Sequence, residues 1–128
     1  MLISSRQFTN KFSYLNLFPM KMSSFPFQAT DWSAIPKEER NGTTGRAWWQ
    51  VFMMNDTRVR IVEYSAGYLA DHWCSKGHVI YCIEGEMQTE LEDGRVFTLS
   101  QGMSYQVGDN NEKHRSSTGK GCRLFIVD

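Results

Sequence analysis

The sequence predicts an all-β domain, a sandwich, jelly roll or barrel of antiparallel strands, and three observations carry that expectation. The chain has 128 residues, enough for one hydrophobic core and too few for two. Turn-forming residues recur at short intervals, at 54-MNDT-57, 75-SKG-77, 84-EG-85, 92-EDG-94, 100-SQG-102, 108-GDNN-111 and 118-TGKG-121. Between them lie short runs of alternating apolar and polar residues rich in Val, Ile, Phe, Tyr, Trp and Thr, the composition of a pleated, half-buried surface.

Taken in order, residues 1–24 read as an irregular N-terminal extension, either disordered or upstream of a true start at Met20 or Met22. Lys and Arg occur at 6, 11 and 21, and the first acid is Asp31. This acid-poor, Ser-rich stretch has an organellar-transit flavour, but 12-FSYLNLF-18 is too broken by Ser and Asn for the apolar centre of about 7 to 15 residues in a secretory signal. Residues 25–128 form the single domain. Within it 36-PKEERNG-42 reads as a short helical turn, with Pro at its first position and Asn-Gly where a helix would stop. Strands are expected over 46–53, 58–65, 78–83, 86–91, 95–99, 103–107 and 122–127.

Composition narrows the partners. Fourteen Lys and Arg balance fourteen Asp and Glu, so the basic excess of a nucleic-acid or polybasic membrane binder is missing. No apolar run approaches the roughly 18 residues of a membrane span. Three cysteines, an odd and sparse set, suggest reduced thiols in a cytoplasmic compartment rather than a disulfide framework. A small-molecule ligand is the expected partner.

The stretch 71-DHWCSKGHVIYCIEG-85 gathers two of the three histidines and two of the three cysteines. On a strand, residues two apart share a face, about 6 to 7 Å from one another. His72 and Cys74 should therefore point the same way. If the chain reverses at 75-SKG-77, His78, Ile80 and Cys82 share one face of the returning strand and Val79, Tyr81 and Ile83 the other. His114 follows the 108-GDNN-111 turn, from where a later strand can bring it to the same spot.

These residues resemble the first motif of the cupins, small β-barrels in which a Gly is followed after five residues by His-x-His, then Glu, then Gly. Here Gly67 is followed by four residues, His72-Trp73-Cys74, three residues, His78, six residues and Gly85. Cys thus stands in the second His place and His in the Glu place. The second motif, with its Pro-x-Gly-x-x-His, is looser: Gly102, then Gly108 at the Pro position, then His114 one residue late. The resemblance covers about residues 45 to 128, and 71-DHWC-74 with 76-KGH-78 is similar to the small uncharacterised DHCW-motif cupins.

What the resemblance implies is a cupin-type antiparallel β-barrel (a double-stranded β-helix, or jelly roll), a homodimer, and a metal centre of His72, Cys74, His78 and His114. Imidazole and thiolate suit zinc, iron, nickel or copper rather than calcium or magnesium; a divalent transition metal, with zinc, iron or nickel foremost, is the expected cofactor. Three imidazoles and a thiolate carry the same single negative charge as the usual three imidazoles and a carboxylate. If Cys74 points away, a three-His face remains. Taken singly, a His in a strand is most often a surface or hydrogen-bonded core residue, and a lone Cys a small buried hydrophobe; Cys82 and Cys122 read that way. Trp73 reads as packing, and Asp71 as a group that orients a ligand imidazole or caps a turn.

For a substrate pocket, Arg60 can hold a carboxylate bidentately if its face is the interior; equally, Arg58 and Arg60 can be solvated, with Val59 and Ile61 in the core. Trp48, Tyr81 and Tyr105 are candidates for the pocket mouth. Three functions remain: a metal-dependent enzyme acting on a small carboxylate- or sugar-like molecule, a non-enzymatic ligand-binding or sensing module with a structural metal, and a closed structural metal site. A thiolate beside activated oxygen invites its own oxidation, which favours Lewis-acid chemistry for the first.

Overall fold

The computed structural model describes residues 25–128, so the expectations for 1–24 lie outside the described residues. Eight strands follow one another along the chain: β1 (Glu38–Asn41), β2 (Arg46–Met54), β3 (Thr57–Tyr64), β4 (His78–Leu91), β5 (Val96–Ser100), β6 (Ser104–Val107), β7 (His114–Ser117) and β8 (Cys122–Val127). All pairings are antiparallel, in the order β1-β2-β3-β8-β4-β5, with β6 and β7 also paired to β4. The sheet bends over on itself without closing, as in a jelly roll. The one helical element among the described residues is a 3-10 turn at Trp32–Ala34.

Strand β4 organises the molecule. Its first half pairs with β6 and β8, and its second half with β5 and β7. Between Cys82 and Glu84 the register with β8 slips by one residue, so Ile83 is an extra residue, a β-bulge. The bulge changes which parity faces the core: His78, Ile80 and Cys82 are buried before it, Met87 and Thr89 after it. Gly85 follows at φ 77°, and a Cβ there would lie 2.4 Å from the Gly121 carbonyl oxygen. Only glycine fits both the left-handed backbone and the close approach.

The core lies between the two halves of the folded sheet, built on Ala47, Val62, Ile80, Cys82, Met87, Leu99, Leu124 and Ile126. On β8 buried and half-buried residues alternate, whereas Val59 to Val62 of β3 are buried on both faces. The outer face of β2, β3 and β8 is covered by the preceding segment: the Trp32 ring meets Phe52 at 5.5 Å and Phe125 at 6.2 Å between centroids. Gln50 Nε2, on the same face, donates to the carbonyls of Trp32 and Ile35 at 2.7 and 2.8 Å.

Two local expectations are corrected. Residues 38–41 are not a helical turn but strand β1, paired with β2 from Glu38↔Trp49 to Asn41↔Arg46; the free edge of β2 outweighs a weak local helix signal, and Asn41-Gly42 makes a strand-to-strand turn instead. Residues 71–77 form no hairpin with the next strand. The chain there runs beside β7, through Leu69↔Ser117 and Cys74↔His114 bridges, because β6 and β8 already occupy both edges of the first half of β4.

Candidate metal centre

Three of the expected ligands meet. His78 is the first residue of β4, on its inward parity, and β7 brings His114 to it from the other half of the sheet. The two rings lie 4.7 Å apart between centroids, nearly perpendicular at 70°. Cys74 arrives on an irregular segment but is fixed by two backbone hydrogen bonds with His114, 2.8 and 3.0 Å long. One side-chain donor atom each from Cys74, His78 and His114 can be chosen so that all lie within 4.8 Å of one another.

Hydrogen bonds set the protons. His114 Nδ1 lies 2.8 Å from the Glu112 carbonyl oxygen, which can only accept, so Nδ1 carries the proton and Nε2 presents a lone pair. Burial holds the His114 pKa below its ordinary value, against the Glu112 carbonyl, which raises it, and with His78 lowering it further. His114 Nε2 lies 2.8 Å from His78 Nε2, so between these two rings His78 donates through Nε2. That leaves His78 Nδ1 buried without a hydrogen-bond partner, 3.7 Å from Asp128 Oδ2. Moving that proton from Nε2 to Nδ1 turns it toward the carboxylate and leaves two bare Nε2 atoms beside the Cys74 sulfur.

Such a cluster could hold a metal ion. Adjacent nitrogens bound at about 2.1 Å stand about 3.0 to 3.4 Å from each other, close to the separation found here. The residues Cys74, His78 and His114 would hold the ion, with Glu112 and Asp128 orienting the imidazoles from behind as metal-bound histidines usually require. Tyr105 joins them: its hydroxyl is 3.2 Å from His78 Nε2, and burial raises its pKa well above the ordinary phenol value.

Asp128 anchors the rear of the site. Its side chain is 1% exposed and contacts Arg58 at 2.9 Å and Arg60 at 3.0 Å. Burial would push its pKa up, but His78, Arg58 and Arg60 outweigh burial and hold it well below the carboxylate range. Arg60 also lies over the Trp49 ring, 4.3 Å from its centroid.

The remaining candidates fall elsewhere. The His72 side chain is 71% exposed and bonds to Asp71 Oδ1 at 2.7 Å, outside the cluster; with no regular ladder over 71–77, the same-face rule that joined it to Cys74 does not operate. Arg60 does face the interior, where its Nη2 donates to Asp128 Oδ2 at 3.0 Å and its Nε is buried without a hydrogen-bond partner. Trp48 and Tyr81 sit on the outer parities of β2 and β4, and Tyr81 is exposed. Trp73 is also exposed. Cys82 and Cys122 are buried, where burial pushes the Cys122 thiol up to about 12. Sequence reasoning missed Asp128 and Glu112. The alternation of 122-CRLFIVD-128 could have found the first, since it continues the inward parity of Cys122, Leu124 and Ile126; a backbone carbonyl leaves no signal in sequence.

Beside the cluster lies a recess of about 300 Å³ whose lining includes Leu91, Phe97, Leu99, Met103, Tyr105 and His114. The metal-competent cluster therefore has an open flank.

An eight-stranded, folded-over antiparallel sheet with imidazoles converging between its halves is the cupin fold. No known family's sequence profile matches the chain. Among characterised proteins it is similar to L-ectoine synthase of Oceanobacillus iheyensis, 35% identical over 79 residues, which are 59% of this chain and 56% of that one. The chain thus matches little more than half the length of that relative. Solved structures that resemble it include ectoine synthase from P. lautus, with a TM-score of 0.64 at 20% identity over 79% of this chain and 76% of that one. Another is an RmlC-like cupin from Shewanella frigidimarina, with a TM-score of 0.64 at 17% identity over 80% of this chain and 89% of that one.

Proposed function

We propose that this chain is a metal-dependent enzyme acting on a small oxygen-bearing molecule, with Cys74, His78 and His114 holding a divalent transition metal. The observation that carries the reading is the set of three donor atoms within 4.8 Å, with a fixed Nδ1 proton on His114 and a carboxylate behind His78. Bound there, such an ion would polarise a carbonyl or hydroxyl oxygen. The recess favours an enzyme over a closed structural site, because it leaves one flank of the cluster reachable. The similarity to ectoine synthase supports chemistry in such a site. Capture of a substrate carboxylate by Arg60 loses support, since the side chain is buried and Asp128 already takes its Nη2.

The string 71-DHWC-74 supports placing the chain among the DHCW-motif cupins, and three unpaired cysteines support a cytoplasmic setting. A homodimer would cover Val79 and Tyr81, exposed on the outer face of β4; a monomer mass in light scattering would refute it. Elemental analysis of the purified chain tests the central claim. About one zinc, iron or nickel per chain is expected, and a metal-free protein that takes up none of the three on titration would overturn it.

A further inference from the structure

Strands β5 and β6 pair with different halves of β4 and, among the described residues, not with each other, and the recess of about 300 Å³ opens on this side of the barrel. Its size is at the small end of ligand cavities, which run from about 300 to 1,000 Å³. The inference drawn from it rests on the metal-dependent reading above.

The apolar walls of the recess are made by Leu91, Phe97, Leu99, Met103 and Val107. Phe97 and Met103 remain 51% and 48% exposed, with the Arg95 guanidinium over the Phe97 ring 6.0 Å from its centroid. The recess has charge only at its rim, where Arg95 pairs with Glu112 and also with Asp93. The deeper cations, Arg58 and Arg60, are both held by Asp128. A carboxylate placed against these walls would lose its hydration and find no free cation. The uncharged polar lining of the recess is Thr89, Thr98, Ser104, Tyr105, Gln106 and His114, with Thr89 and Tyr105 hydrogen-bonded to each other.

We propose that this recess is the substrate subsite of the metal centre, and that it takes the body of a compact, uncharged ring compound. The ring lies between Phe97 and Met103, and the few oxygens of the compound turn toward Thr89, Tyr105 and the metal ligands.

Two hydroxamates test this, because acetohydroxamate and benzohydroxamate chelate a metal through the same two oxygens and differ in carrying a methyl or a phenyl group. In calorimetric titrations of the metal-loaded full chain, benzohydroxamate is expected to bind about tenfold tighter or more, from the apolar area its ring covers. Phe97→Ser and Met103→Ser, at half-exposed positions that leave the core intact, are expected to remove most of that preference and leave acetohydroxamate binding within a factor of about two. 4-Carboxybenzohydroxamate should bind more weakly than benzohydroxamate. Equal binding of the first two compounds by the metal-loaded protein, a preference that survives both substitutions, or tighter binding of the carboxylated ring would overturn the proposal alone. A chain that holds no metal and binds neither compound would overturn the metal reading itself, and the subsite with it.

Discussion

At the scale of single residues, the candidate site depends on where each donor's second atom points. His114 is held by the Glu112 carbonyl and His78 backs onto Asp128, whereas His72 has only the neighbouring Asp71 and faces solvent. His114→Ala and Cys74→Ser are therefore expected to lower the bound metal by about tenfold or more, as loss of a metal's direct or supporting ligand does. His72→Ala should leave metal content unchanged; loss of metal in that variant, read by elemental analysis, would place His72 in the site after all.

Asp128 permits a second expectation at this scale. Breaking a buried ion pair from one side typically costs about 3 to 5 kcal/mol, and Asp128→Asn would leave Arg58 and Arg60 facing a neutral amide. The pH dependence follows in sign. Because the folded state holds this carboxylate below its unfolded pKa of about 3.9, its contribution is full above that value and is lost as pH falls toward the lower, folded pKa. Urea titrations at pH 6 and 3 should therefore show the difference between wild type and Asp128→Asn shrinking in acid; an equal gap at both would disprove the linkage.

At the scale of elements, the bulge in β4 is the feature on which the inward faces agree. Deleting Ile83 would join His78, Ile80 and Cys82 with Met87 and Thr89 in one plain alternation and remove only the bend, so a folded but less stable protein is expected; if the second half instead turned outward, as a one-residue slip would make it, the deletion would give insoluble protein. Gly85→Ala is a milder probe of the same bend. The left-handed backbone and the crowding by the Gly121 carbonyl together predict a loss of about 2 kcal/mol or more. Gly94, also at positive φ but with open space around it, should lose only about 1 kcal/mol on the same change, and chemical denaturation of the two variants compares them directly.

The strands that sequence predicted correctly are rich in β-branched and aromatic residues: 122–127 alternates strictly, and 46–53 and 58–65 were legible by composition although Val59 to Val62 are buried on both faces. Short β1 and β7 were not, because an exposed edge strand such as 38-EERN-41 has no apolar face to display. The run 78–91 looked like two strands parted by a Glu-Gly turn, and became one because the bulge absorbs the change of parity there. Of the site, the ligand-rich spacing was visible, while the relation of residues 71–77 to β4 depended on which strands had already taken its edges, a long-range choice that local pattern does not record.

At the scale of the whole molecule, the segment before β1 works as a second layer over the outer face of β2, β3 and β8. Trp32→Ala removes the ring that bridges Phe52 and Phe125 and should cost about 1 to 2 kcal/mol, the value of a partly buried aromatic contact. An unchanged urea midpoint would mean that this layer is dispensable. The contacts that build the barrel are distant in sequence: β3 pairs with β8 from Val59↔Val127 onward, so ordering the chain requires closing long loops, and folding is expected in milliseconds to seconds.

One consequence follows from the position of β4 in this scheme. Four other strands attach to it, two on each half, so its ladder-paired amide protons, those outside the bulge at Ile83, exchange with deuterium chiefly through rupture of the entire domain. A pulse-labelling experiment should find them the last to wash out, and a ligand entering beside β5 and β6 would slow the rim without altering that slowest class.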